Sequence, residues 1–346
     1  MNSIVFLLPA AAVIGFLVSA VLGKFLIPAL RRLKAGQSIK TDGPTWHMSK
    51  QGTPTMGGLM FIGAAIVTLL ILNGGNILAG DLTSLAVLLF ALVFGVIGFI
   101  DDYAKVKKKE NTGLSALQKF LLQLAAALLF IVVLRRLGIL SPALYVPFVD
   151  VEWRLPWLVY LIFAALVITG TVNAVNITDG VDGLAAGVTV PVSAFFTAAF
   201  AFCYLYLGKE ECAGMAVLAG ALFGGLVGFL VYNFHPAEVF MGDTGSLFLG
   251  GAVCGMAFAL DMPLILIPVG IVYIAETLSD ILQVGYFKYT KKKTGTGRRI
   301  FRMAPLHHHL EMGGWSEEKL FFVFTGITAA FCVLSFFAVT GRYPML

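Results

Sequence analysis

Charged residues are scarce in this chain: Asp, Glu, Lys and Arg together make up 12% of its 346 residues, whereas 59% are hydrophobic. The mean hydropathy is +0.91. So little polar surface could not cover the core of a water-soluble protein of this length, which excludes that class. We therefore expect the lipid bilayer to be the solvent for most of the chain.

Cysteine is scarce as well. The four cysteines, Cys203, Cys212, Cys254 and Cys332, show no CxxC spacing, and three of them lie in apolar runs. This pattern argues against both a disulfide framework and a thiolate metal site.

Long apolar runs, by contrast, are abundant. The first run lacks a basic start and a cleavage site, so it predicts a retained span rather than a signal peptide. Runs near the length of about 20 residues that crosses a bilayer lie near 3–30, 55–72, 83–101, 117–134, 156–173, 184–207, 213–233, 245–260, 262–287 and 318–341. They predict an all-α polytopic integral membrane protein of about ten transmembrane helices, in a single membrane domain over 1–346. A single re-entrant element within 245–287 is the alternative, and it would change the number of spans from even to odd.

The basic residues are distributed unevenly between the two sides of this topology. With the N-terminus outside, one side collects eighteen Lys and Arg residues and the other only Arg135, Arg136, Arg154, Lys209 and Arg342. The positive-inside rule then places both termini outside and the loops near 31–55, 102–117, 173–184, 233–245 and 288–317 in the cytoplasm. Because the basic residues lie in short loops beside spans, the net charge of +5 indicates contact with lipid headgroups and not with nucleic acid.

Acidic residues mark the ends of several apolar runs on that predicted cytoplasmic side. Asp101 and Asp102 end one run, and Asp179, Asp182 and Asp243 lie at the ends of others. Carboxylates at a membrane boundary are costly and usually functional, and a cluster of them suits Mg²⁺ bound with substrate phosphates. A solvated helix end is the alternative. Adjacent helical residues point about 100° apart, so we expect Asp101 and Asp102 to face different atoms.

Two further motifs accompany these acids. In 173–183, NAVNITDGVDG, polar residues recur at every third position beside glycines that allow close approach of a ligand; an ordinary Asx-rich turn is the alternative. In 240–246, FMGDTGS, the start of a helix could hold an anion through its free N–H groups, although Asp, Thr and Ser are also common caps.

Three consecutive histidines, His307, His308 and His309, lie in the last predicted cytoplasmic loop. They do not share the i, i+4 face of helical zinc ligands, so hydrogen bonding to phosphate or sugar is the better functional interpretation, and an exposed polar loop is the alternative.

Glu276, Asp280 and Gln283 share one face of the ninth predicted span. Their spacing is compatible both with buried ion pairs to a neighbouring span and with contacts to the substrate.

Taken together, the motifs resemble those of a known enzyme family. KQGTPTMGG (50–58), GFIDDYAKV (98–106), NAVNITDGVDGLA (173–185), NFHPAEVFMGDTGSLFLGG (233–251) and APLHHHLE (304–311) are similar to motifs of the polyprenyl-phosphate N-acetylhexosamine-1-phosphate transferases, in the same order. The triple-histidine motif favours the phospho-N-acetylmuramoyl-pentapeptide branch. The resemblance implies transfer from UDP-N-acetylmuramoyl-pentapeptide to undecaprenyl phosphate, with Mg²⁺, in the bacterial cytoplasmic membrane. It also implies a homodimer.

The resemblance also implies roles for individual residues. Catalysis would involve Asp101, Asp102, Asp243 and His307–His309, with Asp243 as the metal ligand. The uracil would lie near Gly180, Val181 and Asp182 and stack on Phe240. The remaining expected substrate contacts are Lys50, Thr55, Lys105, Lys109, Lys119, Asn173, Asn176, Asp179, Asn233, Ser246 and Gln283. Single-step transfer is favoured over a covalent Asp intermediate, because the lipid phosphate is mostly ionised near neutral pH and hardly needs a strong base.

Two other functions stay open on the sequence. A UDP-N-acetylglucosamine:polyprenyl-phosphate transferase would share the paired Asp and the Asp243 motif. A membrane transporter or channel would also use acids and broken helices, but it should place some acids at span centres and show related halves, and neither pattern is evident.

Overall fold

The computed structural model describes residues 2–33, 50, 52–108 and 113–343, and these are mainly helical. Lys109 lies outside the described residues. The helices are α1 (Asn2–Arg32), α2 (Leu59–Leu78), α3 (Thr83–Lys108), α4 (Ala116–Arg136), α5 (Trp157–Thr178), α6 (Leu184–Leu207), α7 (Glu211–Asn233), α8 (Gly242–Ala259), α9 (Leu266–Val269), α10 (Ile271–Thr294), α11 (Leu306–Glu311) and α12 (Glu317–Arg342). A short 3₁₀ turn, Pro263–Ile265, precedes α9.

The expectation of a polytopic helical membrane protein is confirmed. Within the described residues, α1 to α7 and α12 give 8 helices long and apolar enough to cross a membrane, and the count rises to 9 if the bent pair of Pro263–Val269 and α10 is one span. That pair bends by 82° at Gly270, so the predicted run 262–287 is a broken element and not one straight helix. The figure of ten spans therefore stays a prediction.

Some predicted loops are shorter than expected. Helix α3 continues to Lys108 and α5 to Thr178, so most of the loops placed at 102–117 and 173–184 are helical. Asp101, Asp102, Asn173 and Asn176 thus stand on the last turns of helices, where the backbone holds their side chains more firmly than a loop would.

Helix α8 lies at the centre of the described residues. Every residue from Thr244 to Phe258 is buried, as expected for a helix that is apolar on all sides. Its glycines let neighbouring helices approach closely: a Cβ at Gly250 would meet the Cα of Val172 on α5 at 2.6 Å, and one at Gly251 would meet the Cα of Ala91 on α3 at 3.1 Å. This packing fixes the position of Asp243 at the start of α8.

The far end of α8 is tied to the end of α12. Arg342 donates from Nη2 to Asp261 Oδ2 at 2.7 Å, and the hydroxyl of Tyr343 donates to the carbonyl of Leu260 at 3.1 Å. A two-stranded antiparallel hairpin, β1 (Ala143–Val146) and β2 (Val151–Arg154), belongs to the segment between α4 and α5. The acidic residues of α3 contact the start of α8, so these motifs lie at the opposite end of that helix.

Candidate active site

Three carboxylates from two helices meet at that end of the bundle. Asp101 and Asp102 come from α3 and are each 3% exposed, and Asp243 comes from the first turn of α8. One oxygen from each of the three lies within 4.8 Å of the others. Both adjacent acids thus belong to one cluster, and each has its own hydrogen-bond partners.

Asp102 caps the N-terminus of α8. Its Oδ2 accepts hydrogen bonds from the Thr244 backbone N–H at 2.9 Å and the Thr244 hydroxyl at 2.7 Å, and its Oδ1 accepts from the Asp243 N–H at 3.2 Å. The sequence predicted that the start of this helix could hold an anion, and in the structure the anion on these N–H groups is a carboxylate from α3.

Asp101 has different partners. Its Oδ1 accepts from the backbone N–H of Leu114 at 2.7 Å, and its Oδ2 forms an ion pair with Lys105 at 2.6 Å. The two adjacent acids therefore differ in their hydrogen bonding, as expected, although both lie in one cluster.

Lys105 and Lys119 compensate the charge of the acidic cluster. Lys105 Nζ lies 2.8 Å from Asp243 Oδ2, and Lys119 Nζ lies 3.0 Å from the same oxygen. The amide of Asn176 donates to Asp243 Oδ1 at 2.7 Å and to the Ser246 hydroxyl at 2.8 Å. With three carboxylates and two ammonium groups, the cluster keeps one uncompensated negative charge, which favours a cation.

Asp179 follows the C-terminus of α5, outside the spans. Burial and repulsion from Asp243, Asp102 and Asp182 raise the pKa of Asp179 well above its ordinary value.

A second group of charged side chains lies around Lys50. Lys50 Nζ donates to Asp182 Oδ1 at 2.7 Å and to Glu317 Oε2 at 2.6 Å. Asp182 Oδ2 lies 3.0 Å from His235 Nδ1 and accepts the backbone N–H of Ala237 at 3.0 Å. We call Lys50, Asp182, His235 and Glu317 the Lys50 cluster.

The segment before α2 pairs with the segment before α8. The N–H of Phe240 donates to the Pro54 carbonyl at 2.8 Å, and the N–H of Gly57 donates to the Phe240 carbonyl at 2.8 Å. A Cβ at Gly242 would meet both Asp102 Oδ2 and the hydroxyl oxygen of Thr55 at 2.5 Å, so Thr55 lies beside the acidic cluster. These contacts bring together two motifs that are far apart in the sequence.

The three histidines face different neighbours. His307 is 1% exposed, and its Nδ1 lies 2.9 Å from Glu276 Oε2. His308 Nδ1 lies 2.7 Å from Glu311 Oε2, and His309 Nδ1 accepts the backbone N–H of Arg302 at 3.1 Å. Within the described part of the chain, none of them belongs to a group of three possible metal-binding side chains. Glu276 therefore has a close polar contact with a side chain on α11.

Other predicted site residues make contacts that support the fold. Gln283 accepts the backbone N–H groups of Ile300 at 2.9 Å and Phe301 at 3.0 Å, and so braces the loop before α11. The amide of Asn233 donates to the Val239 carbonyl at 2.9 Å, and that of Asn173 donates to Gln123 Oε1 at 2.7 Å.

Glu317 was missed by the sequence reasoning. It stands in the first turn of α12, after the N-cap Ser316, where an acidic residue normally serves the helix dipole. Nothing in the sequence distinguishes it from its neighbour Glu318, and only the tertiary structure brings it to Lys50.

Comparison with known proteins decides the family. Residues 84–261 match the family described as glycosyl transferase family 4, and residues 50–62 match the phospho-N-acetylmuramoyl-pentapeptide-transferase signature 1. A phospho-N-acetylmuramoyl-pentapeptide-transferase of Clostridium acetobutylicum is 43% identical over 333 residues, which cover 95% of this chain and 98% of that one. The chain belongs to this transferase family. Proteins of the same name from Heliobacterium modesticaldum, 46% identical over 97% of this chain and 98% of their own length, and from Desulforamulus reducens, 47% identical over 90% and 89%, are also similar.

The family matches cover most of the two clusters. The signature includes Lys50 and the turn that pairs with Phe240, and the longer match includes Asp101, Asp102 and Asp243. Glu317 and the three histidines lie beyond residue 261, in a part of the chain that the similarity to the Heliobacterium transferase largely covers.

Gly98 offers a test of how tightly the acidic cluster is held. A Cβ at Gly98 would overlap the Asp243 carbonyl, so Gly98→Ala must displace the start of α8. We expect transferase activity to fall about 100-fold, because small misplacements of reacting groups cost that much. Gly170→Ala is the control, since nothing lies within 4 Å of its Cβ position. Equal activity of both folded variants would show that this spacing is unimportant.

Proposed function

We propose that the protein transfers phospho-N-acetylmuramoyl-pentapeptide from UDP-N-acetylmuramoyl-pentapeptide to undecaprenyl phosphate, giving lipid I and UMP. The observation that carries the proposal is the cluster of Asp101, Asp102 and Asp243, which lies beside Lys105 and Lys119 at one end of a bundle of apolar helices. Acids and lysines together suit a reaction between two phosphorylated substrates, one of them a lipid.

The donor set of the acidic cluster fits Mg²⁺. Hard carboxylate oxygens within 4.8 Å of one another and an uncompensated negative charge are what this ion requires. In our proposal Asp243 is the principal ligand, and Asp101 and Asp102 border the site. Bound Mg²⁺ would neutralise the diphosphate and stabilise the UMP leaving group.

The lysines and acids of the chain supply the rest of the chemistry. The ammonium groups of Lys105 and Lys119 can donate to phosphate oxygens that come close to Asp243. Because three donors hold the Asp102 carboxylate at the start of α8, we assign to Asp101 the contact that orients the lipid phosphate. That phosphate is mostly ionised near neutral pH, so its oxygen can attack the β-phosphate in one step.

The nucleotide would lie beside the Lys50 cluster. Gly180, Val181 and Asp182 form the loop that we propose for the uracil, and the ring of Phe240 would supply a flat surface for stacking. His307 packs its ring against Gly180 and supports that loop, while His308 and His309 stay candidates for catalysis. The other proposed substrate contacts are Lys109, Thr55, Asn173, Asn176, Asp179, Asn233, Ser246 and Gln283.

The proposal also includes the side of the membrane that the site faces and the oligomeric state of the protein. The site would face the cytoplasm of a bacterial cell, with both termini outside, because the excess of Lys and Arg lies at the same end as the acids. The lipid tail would lie in an apolar groove between helices. The family resemblance favours a homodimer.

The proposed reaction predicts Mg²⁺-dependent release of UMP. The purified protein should release UMP from UDP-N-acetylmuramoyl-pentapeptide and undecaprenyl phosphate, and EDTA should stop the release. A parallel reaction with UDP-N-acetylglucosamine should stay at background. Turnover of the glucosamine substrate alone would assign the protein to the sister branch, and no turnover of either substrate would favour a transporter.

Asp243→Ala should abolish the transfer and leave the protein folded, because it removes the proposed principal ligand. Transfer by the variant should stay at background even at saturating Mg²⁺, and a thermal melt in detergent should still show a cooperative unfolding transition. Asp81→Ala is the control, since Asp81 lies in the turn between α2 and α3. Near-normal transfer by Asp243→Ala at high Mg²⁺ would contradict the assignment.

The topology predicts which side of the membrane a cysteine at position 291 faces. The four native cysteines are buried, whereas Lys291 is exposed at the end of α10. In Lys291→Cys an impermeant thiol reagent should react only from the cytoplasmic side. In the control Arg154→Cys, on the hairpin, it should react only from outside. Labelling of position 291 from outside would overturn the orientation.

A further inference from the structure

The Lys50 cluster joins four separate segments of the chain. Lys50 precedes α2, Asp182 lies in the loop between α5 and α6, His235 follows α7, and Glu317 starts α12. The side chains of Lys50, Asp182 and Glu317 are 14%, 2% and 12% exposed. Charge-assisted hydrogen bonds in such a shielded place are strong, so they set the positions of the groups they join.

One oxygen of Glu317 holds two of these segments together. Its Oε2 accepts from Lys50 Nζ at 2.6 Å and from the backbone N–H of Asp182 at 3.1 Å. The same oxygen lies 3.6 Å from His235 Nδ1. Glu317 therefore fixes both the ammonium group of Lys50 and the backbone of the loop that carries Asp182.

The charges of the cluster point to a positioned lysine and not to a second metal ion. Asp182, His235 and Glu317 each offer an atom within 4.8 Å of the others, a geometry that could also hold a cation. In this structure the ammonium of Lys50 makes close contacts with both carboxylates, at 2.7 Å and 2.6 Å. The two carboxylates would repel each other without it.

Lys50 keeps a donor for a ligand. An ammonium group has three N–H donors, and the bonds to Asp182 and Glu317 use two of them. Because both bonds are short and shielded, the direction of the third N–H is set as well. An oxygen acceptor of a nucleotide, on its base or its phosphate, is the chemistry that this donor recognises.

We propose that Glu317 is a positioning residue of the transferase: it acts through Lys50, which it orients for an oxygen of the uridine nucleotide. The inference rests on the proposed function. It predicts that loss of the Glu317 charge weakens nucleotide binding and changes the chemical step little, because the described contacts of Lys50 and Asp182 include no hydrogen bond or ion pair with Asp101, Asp102 or Asp243.

A double-mutant cycle tests this coupling. Glu317→Gln should raise the KM for UDP-N-acetylmuramoyl-pentapeptide on the order of 10-fold, as expected for loss of a charged hydrogen-bond partner, and change kcat less than about 3-fold. In a Lys50→Gln background the same change should alter KM less than about 2-fold, since the orienting partner has no ammonium to hold. Glu317→Asp, which keeps the charge, should recover part of the affinity.

Glu318→Gln is the matched control. Glu318 stands in the same first turn of α12, so its loss changes the helix dipole equally, but its side chain is 43% exposed and its nearest ion-pair contact, to His235, is 3.8 Å. Its KM should stay within about 2-fold of the unaltered value. An equal rise of KM for both variants, or an equal effect of Glu317→Gln with and without Lys50, would overturn the proposal.

Calorimetry with UMP and uridine separates this inference from the proposed function. Both ligands should bind more weakly to Glu317→Gln if the oxygen lies on the base or ribose, and UMP alone if it lies on the phosphate. If the unaltered protein binds UMP but turns over neither sugar substrate, only the proposed function fails. Unchanged affinity for both ligands overturns the role of Glu317. Should Glu317→Gln not fold, Glu317→Asp replaces it in the cycle. This variant keeps the charge on a shorter side chain, so a smaller rise of KM that disappears in the Lys50→Gln background is expected, and no rise, or a rise that persists in that background, overturns the proposal.

Discussion

The cap that Asp102 places on α8 is the contact on which the rest of the site depends. A carboxylate on the last turns of α3 accepts both N–H groups at the start of α8, and this joins two helices that come from distant parts of the chain. Such a bond is strong because a charge meets the positive end of a helix away from water. It sets the distance between Asp243 and the α3 acids, and Gly98 permits the close approach of the two helices.

This arrangement explains why two adjacent acids are compatible with a membrane protein. A buried carboxylate is costly unless donors surround it. Asp102 has three donors from α8, and Asp101 has a backbone N–H and Lys105. The donors to Asp102 belong to the fold, whereas Lys105 is a flexible side chain that can turn towards another anion. The difference between a fixed and an exchangeable partner is the physical basis for giving the two acids different roles.

Most of the fold and the composition of the acidic cluster could be predicted from the sequence. Apolar runs mark the helices because the bilayer sets their length, and acids at their ends are conspicuous because they are costly there. Contacts between distant segments could not be predicted. Gln283 has the spacing of a substrate ligand but braces a loop, and Glu317 has the position of an ordinary helix-dipole residue but holds Lys50. Each role depends on a partner that periodicity does not reveal.

The acidic cluster and the Lys50 cluster have the same arrangement of charges. In both, carboxylates from different helix ends are held together by lysines, Lys105 and Lys119 in one and Lys50 in the other. Lysine suits this role because its ammonium is a point charge with several donors on a flexible stem. When a phosphate enters, Lys105 or Lys119 can keep a carboxylate and turn a second N–H to the new anion, whereas Lys50 keeps both of its carboxylates and offers its third N–H. The cations that allow the acids to be buried are then also the groups that recognise the substrate, so stability and binding depend on the same residues.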